Sequence, residues 1–551
     1  MHLTCETCSA DFTLTQKELD LFRSFEHEPT PICFDCQQKH RMSFRNGRNL
    51  YSRTCNKTGE KILTVYAPEK PYKVYSQSAW YGDGWDAIEY GRDFDFSRPF
   101  FEQFKELQLE VPRCALLNIN PENSDYCNMC AGNKNCYLVF GGDYNEDSLY
   151  CTMNMHNRKL IDGDYSNENE GCYWLFNSHH CYGTQFAFDS SNCSNCAFIS
   201  NCIGCTDCIL CTNLKQKTFC IRNEQLTKEQ YREQRQSLLD GGYKQQQENI
   251  REHEQQRSMR VVKSHYTLSC EDCSGDYITH SKGCKNCFFA WNCEDLVNVI
   301  LAEKQKDCFH CSYIGGEGGM RNFNQVATIN GNECQFSYFT NDSYHSEYSD
   351  TAFYCKYVFG CVGLRHKEYC ILNKQYTKEA FLVLREKIVA HMKNTGEWGR
   401  FFPKHLSCFA YNESTAHEYY PLTKTEALAQ GYLWRKEEKE KPKVEKVIPA
   451  STLPDDIADI PDDILNWAIL CEKSGRPFRI VKAELQFYRE MNLPVPHLEH
   501  SERFAIRMQL MNPFRLYKRP CAICGKEMKT TYAPERPEKV VCESCYLDTV
   551  Y

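Results

Sequence analysis

No stretch of this chain is apolar for the ~18–20 residues that a membrane span requires, and mean hydropathy is −0.61. A membrane-spanning helix is therefore not expected. The first residues, MHLTCETCSADF, lack a basic segment followed by an apolar one. No secretory leader is expected, and a cytoplasmic location is. Also missing are a phosphate-binding glycine loop, a nucleophile elbow and a metalloprotease helix. Net charge is −8, which excludes a chain basic throughout but leaves room for basic patches. What the chain has in excess is cysteine, 36 in 551 residues. In a reducing compartment, thiols bind metal or fill cores rather than pair as disulfides.

Two internal duplications organise the sequence. CTNLKQKTFCIRNEQLTKEQ from Cys211 and CVGLRHKEYCILNKQYTKEA from Cys361 match at an offset of 150. In each copy a threonine, Thr227 or Thr377, is the expected N-cap of a closing helix. The second duplication joins the two ends. Cys5, Phe12, Pro29-Thr-Pro31, Arg41-Met42, Cys55 and Tyr66-Ala-Pro parallel Cys471, Phe478, Pro494-Val-Pro496, Arg507-Met508, Cys521 and Tyr532-Ala-Pro.

The expected domains follow from these matches. They are a zinc ribbon at 1–45, a degenerate ribbon and connector at 46–112, and cysteine-rich modules at 113–262 and 263–434. A charged linker at 435–465, a second degenerate ribbon at 466–515 and a last zinc ribbon at 516–551 complete the chain.

Cys5-x2-Cys8 with Cys33-x2-Cys36, and Cys521-x2-Cys524 with Cys542-x2-Cys545, have the spacing of closed four-thiolate zinc sites. Such a site has no open position, so it is structural. Where the last ribbon has its four cysteines, the first tandem unit has Cys55, Thr58, Ser76 and Ala79, and Cys8 corresponds to Ser474. Two zinc ions per chain are expected. His497 and His500 could join Cys471, but a fourth ligand is missing.

In the middle, Cys130, Cys151, Cys172 and Cys193 lie 21 residues apart, with short strand-like runs such as Tyr137–Phe140 and Tyr173–Phe176 nearby. Short strands at a fixed period predict a β-solenoid in which cysteines stack as small apolar groups. The competing reading is metal ligation by Cys202, Cys205, Cys208 and Cys211. At offset 150 these become Ala352, Cys355, Val358 and Cys361, which favours packing. The fold class expected is mainly β with helices, with terminal zinc ribbons flanking two duplicated solenoid-like modules.

With these residues in hand, the chain resembles a family of large cysteine-rich proteins of candidate-phylum (Parcubacteria-like) bacteria. Its ends resemble zinc ribbons of the treble-clef-like type. The motifs that carry this are Pro31-Ile-Cys33-Phe-Asp-Cys36, Tyr90-Gly-Arg-Asp-Phe-Asp-Phe, Cys370-Ile-Leu-Asn-Lys-Gln and Tyr532-Ala-Pro-Glu-Arg-Pro537. The resemblance implies that Thr58, Ser76, Ala79 and Ser474 stand where relatives carry cysteine. It implies no function.

Residues 37–59 and 503–526 each hold six Lys or Arg and no acid. Cations interleaved with Phe44, Tyr51, Phe514 and Tyr517 suit a nucleic-acid footprint. The expected contacts are Lys39, Arg41, Arg45, Arg48, Arg53, Arg507, Arg515, Lys518 and Arg519. Residues 121–210, with 11 acids and 3 bases, would repel phosphate. Three readings stand at this point. The first is a non-enzymatic zinc-binding interaction protein that takes RNA or a ribonucleoprotein. The second is a protein scaffold acting through solenoid faces. The third is an enzyme or a thiol–metal redox protein using the central cysteines. Asp143, Asp164 and the pair His179-His180 are expected at the surface or in turns.

Overall fold

The computed structural model describes residues 1–436 and 444–550. The chain is mainly β with helices, and two parallel ladders dominate it. In the first, strands Arg158–Asp164, Glu170–Phe176, Gln185–Phe188, Ala197–Ser200, Thr206–Thr212 and Thr218–Ile221 pair in chain order. The register is twelve residues: Leu160 faces Cys172, Ala187 faces Ile199, and Cys208 faces Cys220. Single parallel bridges carry the same offset back to Glu122 and Lys134. The second ladder runs from Thr267–Leu268 to Lys374–Gln375 in two adjoining sheets, with twelve again the commonest offset.

A triplet underlies the register. Asn192, Asn195, Phe198 and Asn201 all have φ between 52° and 55°, a left-handed bend at every third residue. Asparagine tolerates this conformation well; phenylalanine does so only where packing holds it there. The residues following the bends point inward, so Cys193, Cys196, Cys202, Cys205, Cys208 and Cys211 are at most 1% exposed. The 21-residue spacing of the cysteines is thus not the pairing offset. Every inward position is equivalent modulo three, so any multiple of three can recur in the sequence.

Columns of like side chains run up the first ladder. Asn169, Asn157, Asn145 and Asn133 form a buried amide chain, each Nδ2 donating to the next Oδ1 at 2.9–3.3 Å. Outside, Glu122, Lys134 and Glu146 alternate in sign, as do Arg158 and Glu170. Each ladder ends in a short antiparallel strand, Glu224–Gln225 or Lys374–Gln375, followed by the helix Lys228–Leu238 or Lys378–Asn394. Thr227 and Thr377 cap these helices by accepting from Gln230 N–H and Ala380 N–H, a contribution of about 1 kcal/mol each. The helices pack beside the last strands, where an open edge would invite foreign pairing.

The ends of the chain are built against the ladders. Helix Gln16–Ser24 lays Phe22 on Phe309 and Phe323 of the second ladder, with ring centroids 5.0 and 5.8 Å away. Helix His500–Leu510 sits on the first ladder, and strand Lys539–Val541 pairs with Val261–Lys263. The stretch 435–465, expected as a charged linker, lies partly outside the described residues. In the described part, Lys446–Pro449 is a strand paired in parallel with Trp467–Leu470. Pro-Asp-Asp-Ile occurs twice here, at 454–457 and 461–464, and its isoleucines, Ile457 and Ile464, are both buried. Their apolar side chains fix a segment that composition alone marks as solvated.

Candidate metal centres

Four hairpins share one local fold. The N–H of Cys5, Cys55, Cys471 and Cys521 donates to the carbonyl five residues on, at 2.8–2.9 Å in every case. The N–H of Ser9, Gly59, Gly475 and Gly525 returns to the carbonyl of that same cysteine. This turn aims the first sulfur at the incoming strand or helix start. Cys33 N–H then donates to Cys5 Sγ at 3.3 Å, Ser76 N–H to Cys55 Sγ at 3.2 Å, and Cys542 N–H to Cys521 Sγ at 3.3 Å.

Two hairpins complete a four-thiol set. The ligand atoms of Cys5, Cys8, Cys33 and Cys36 all lie within 4.8 Å of one another, as do those of Cys521, Cys524, Cys542 and Cys545. The Cys8–Cys33 and Cys524–Cys542 sulfurs are 3.7 and 3.8 Å apart. A tetrahedron with metal–sulfur bonds of about 2.3 Å has edges of about 3.8 Å, so both sets fit a metal ion. The surroundings favour thiolate at one sulfur of each set in particular, Cys33 and Cys521. A hydrogen bond from Cys36 brings the Cys33 thiol down to about 5, and Cys36 is driven up in return. Burial pushes Cys521 up, but the backbone N–H groups of Cys524 and Cys542 outweigh it and bring it down to about 6.

In the other two hairpins, hydrogen bonds stand where the ion would be. Ser474 donates to Glu499 Oε1 at 2.7 Å. His497 pairs with Glu472 at 2.6 Å and stacks on Tyr243 with centroids 3.5 Å apart. His500 stacks on Tyr150, and burial lowers it to about 3. Cys471, His497 and His500 do not converge as ligands. Nor do Cys202, Cys205, Cys208 and Cys211, which bond to carbonyls at 3.2–3.7 Å in the ladder core. Among the described residues, only the two four-cysteine sets gather three or more His, Cys, Asp or Glu ligands.

The expected nucleic-acid residues point mostly inward. Arg41 is 1% exposed and donates to Asn324 Oδ1 at 2.9 Å. Arg45 is buried, its guanidinium 4.0 Å from the Tyr313 ring centroid, and Arg48 lies 3.5 Å from that of Phe504. Arg53 and Arg519 hold their own hairpins by donating to the carbonyls of Tyr72 and Ala533. Arg507 is fully buried between Asp162 and Asp164. Arg41, Arg45 and Arg507 therefore present no charge to a phosphate backbone, because packing the ends onto the ladders encloses them. Arg515, paired with Asp35, and the exposed Lys518 and half-buried Lys39 remain at the surface.

Asp164, expected at the surface or in a turn, is buried in strand Arg158–Asp164, and Asp162, Glu484 and Arg503, none of them named as a candidate site residue, are buried with it. The available signal was Arg41-Met42 recurring as Arg507-Met508 at equivalent positions of the two ends, a sign of a shared packing role. No family model and no curated protein matches the chain, so the resemblance read from the sequence rests on its motifs alone.

Proposed function

We propose that the chain is a non-enzymatic interaction protein, each end locked by a structural zinc ion, whose ladders are two β-solenoids offering long faces to protein partners. The observation that carries this reading is the pair of closed four-thiol sets at the two ends. Four protein sulfurs around one ion leave no position for substrate or water, so the metal serves the fold. Protein is favoured over RNA as partner because three of the expected phosphate contacts are buried and others hold their own hairpins.

Elemental analysis of tag-free protein tests the zinc. Two zinc per chain is expected; stoichiometric iron, or none of either metal, overturns it. Filter binding of single- and double-stranded RNA across salt concentrations tests the partner class. Steep, saturable binding with a slope of several charges would return the reading to nucleic acid.

A further inference from the structure

A cleft of about 1160 Å³ opens between the two zinc-site hairpins, floored by the second ladder. Phe34, Val297 and Phe514 give it apolar walls. His310 also lines it, 2% exposed, with neither ring nitrogen hydrogen-bonded among the described residues. Burial holds this imidazole neutral, well below its ordinary range, so it offers one acceptor and one donor. A buried polar side chain left unmatched is destabilising, and a partner that matched it would recover part of that cost.

Two further features shape the occupant. Strand Asp11–Thr13 lines one wall and, among the described residues, pairs only with His2–Thr4. Flanking bonds from Cys5 N–H to Ala10 O and Leu14 N–H to Met1 O set the alternation of the pair. That alternation turns the backbone groups of Asp11 and Thr13 outward, away from their partner strand. On the rim, Lys529 is exposed, and neither it nor Lys39 has an ion-pair partner among the described residues; Lys39 donates to the neutral Gln430 Oε1 at 2.6 Å. The other lining cations, Lys17, Lys285, Arg515 and Lys518, are engaged with Asp295, Asp272, Asp35 and Glu527.

We infer that this cleft binds an extended peptide by strand addition to Asp11–Thr13. The peptide carries a tyrosine or tryptophan whose polar tip meets His310 and acidic residues that meet Lys39 and Lys529. Main-chain pairing gives such a site its affinity and the pocket its specificity. Tyrosine and tryptophan suit walls that are apolar with one polar group at depth. The inference rests on the proposed function and names the partner chemistry of that reading. A phosphate chain, charged at every residue, fits less well, since two lysines without an ion-pair partner among the described residues are few.

An immobilised array of eight-residue peptides tests this, with Tyr, Trp, Phe or Ala at the centre and Asp/Glu, Ser or Lys flanks. It is probed with full-length zinc-loaded protein. Wild type should bind Tyr and Trp peptides with acidic flanks at least about tenfold better than those with basic flanks, one tenfold step being about 1.4 kcal/mol. The double variant Lys39→Glu/Lys529→Glu should invert the flank preference. His310→Phe should erase the preference of Tyr over Phe while leaving that for acidic flanks. A flat array, or preferences unmoved by these variants, overturns the inference. So does binding of a fluorescein-labelled twelve-nucleotide oligouridylate that the same variants abolish. A flat array from protein that still holds two zinc refutes the cleft alone; missing zinc refutes the underlying reading.

Discussion

Arg507 donates from Nη1 to Asp162 Oδ1 at 2.8 Å, and neither side chain touches solvent. Its Nε reaches Asp164 Oδ2 at 2.5 Å. Arg503, one helical turn earlier, lies 2.8 Å from Asp162 Oδ2 and 3.4 Å from Glu484 Oε1. Three carboxylates and two guanidinium groups thus join helix His500–Leu510 to the ladder strand Arg158–Asp164 and to Glu484 of helix Lys482–Glu490. Removing one partner of a buried pair leaves an uncompensated charge, a cost of about 3–5 kcal/mol. Arg507→Gln should lower stability by that order in urea denaturation. Lys518→Gln, whose side chain is 73% exposed, should change it by less than about 0.5 kcal/mol. Equal effects would mean that the network does not hold the helix.

The metal sites should be separable. Cys5→Ser and Cys521→Ser are each expected to remove one zinc per chain and to loosen only their own end, because structural zinc contributes folding energy locally. Hydrogen exchange should show lost protection in the hairpin His2–Thr13 or Tyr517–Thr530, with the amides of Ile199 and Ile300 in the ladders unchanged. Global loss of protection would instead make the ions essential to the whole fold.

Core thiols should behave differently from ligand thiols. Cys172 is fully buried, and its single S–H lies within donating reach of the carbonyls of Glu170 and Cys181, with Sγ at 3.3 and 3.5 Å from them. Burial raises its pKa, which keeps it a neutral donor. Cys172→Ala should leave the zinc content unchanged and cost roughly 1 kcal/mol. Cys172→Asp puts an unpaired charge in the stack and should be far worse. Zinc loss from Cys172→Ala would contradict the separation of the two roles.

The metal sets were legible in the sequence because a Cys-x2-Cys knuckle is local: its spacing alone brings two sulfurs together. The duplicated threonine caps were legible for the same reason. The ladder register was not read correctly, since cysteine recurs at any multiple of three and 21 stood out over twelve. Glu122, Lys134, Glu146, Arg158 and Glu170, spaced by twelve and alternating in sign, carried the right period. Arg41 and Arg507 misled because composition records charge but not what encloses it. Their partners Asn324, Asp162 and Asp164 lie hundreds of residues away.

Docking of the C-terminal hairpin should depend on pH through Asp276. This side chain is 4% exposed, accepts from Tyr266 N–H at 2.6 Å and Tyr277 N–H at 3.0 Å, and meets the hydroxyl of Thr531. Burial raises it to about 6, against hydrogen bonds from these groups; Asp189 nearby adds to the rise. The folded state therefore holds a proton that the unfolded chain releases near pH 4. The contribution is full below that pH, declines as pH rises towards 6, and is lost above it, a change of up to about 3 kcal/mol. Asp276→Asn should flatten the dependence of the melting temperature between pH 4 and 6.5. An unchanged slope would place the titration elsewhere.

The outer charge column should also be measurable, though small. Lys134 Nζ lies 3.7 Å from Glu122 and 3.8 Å from Glu146, with all three side chains 45–70% exposed. Contacts of this kind contribute about 0.2–1 kcal/mol each across neighbouring strands, and like charges placed opposite cost a similar amount. Glu146→Lys would set three cations in a row, Lys134, the new lysine and Arg158, because Glu146 bridges to both neighbours in the ladder. It should destabilise the chain by about 1 kcal/mol at low salt. Glu146→Gln, which removes attraction without adding repulsion, should cost about half as much. At 1 M salt, where the screening length is about 3 Å, both penalties should shrink towards zero. A cost for Glu146→Lys that persists at high salt would show that the glutamate acts through packing rather than charge.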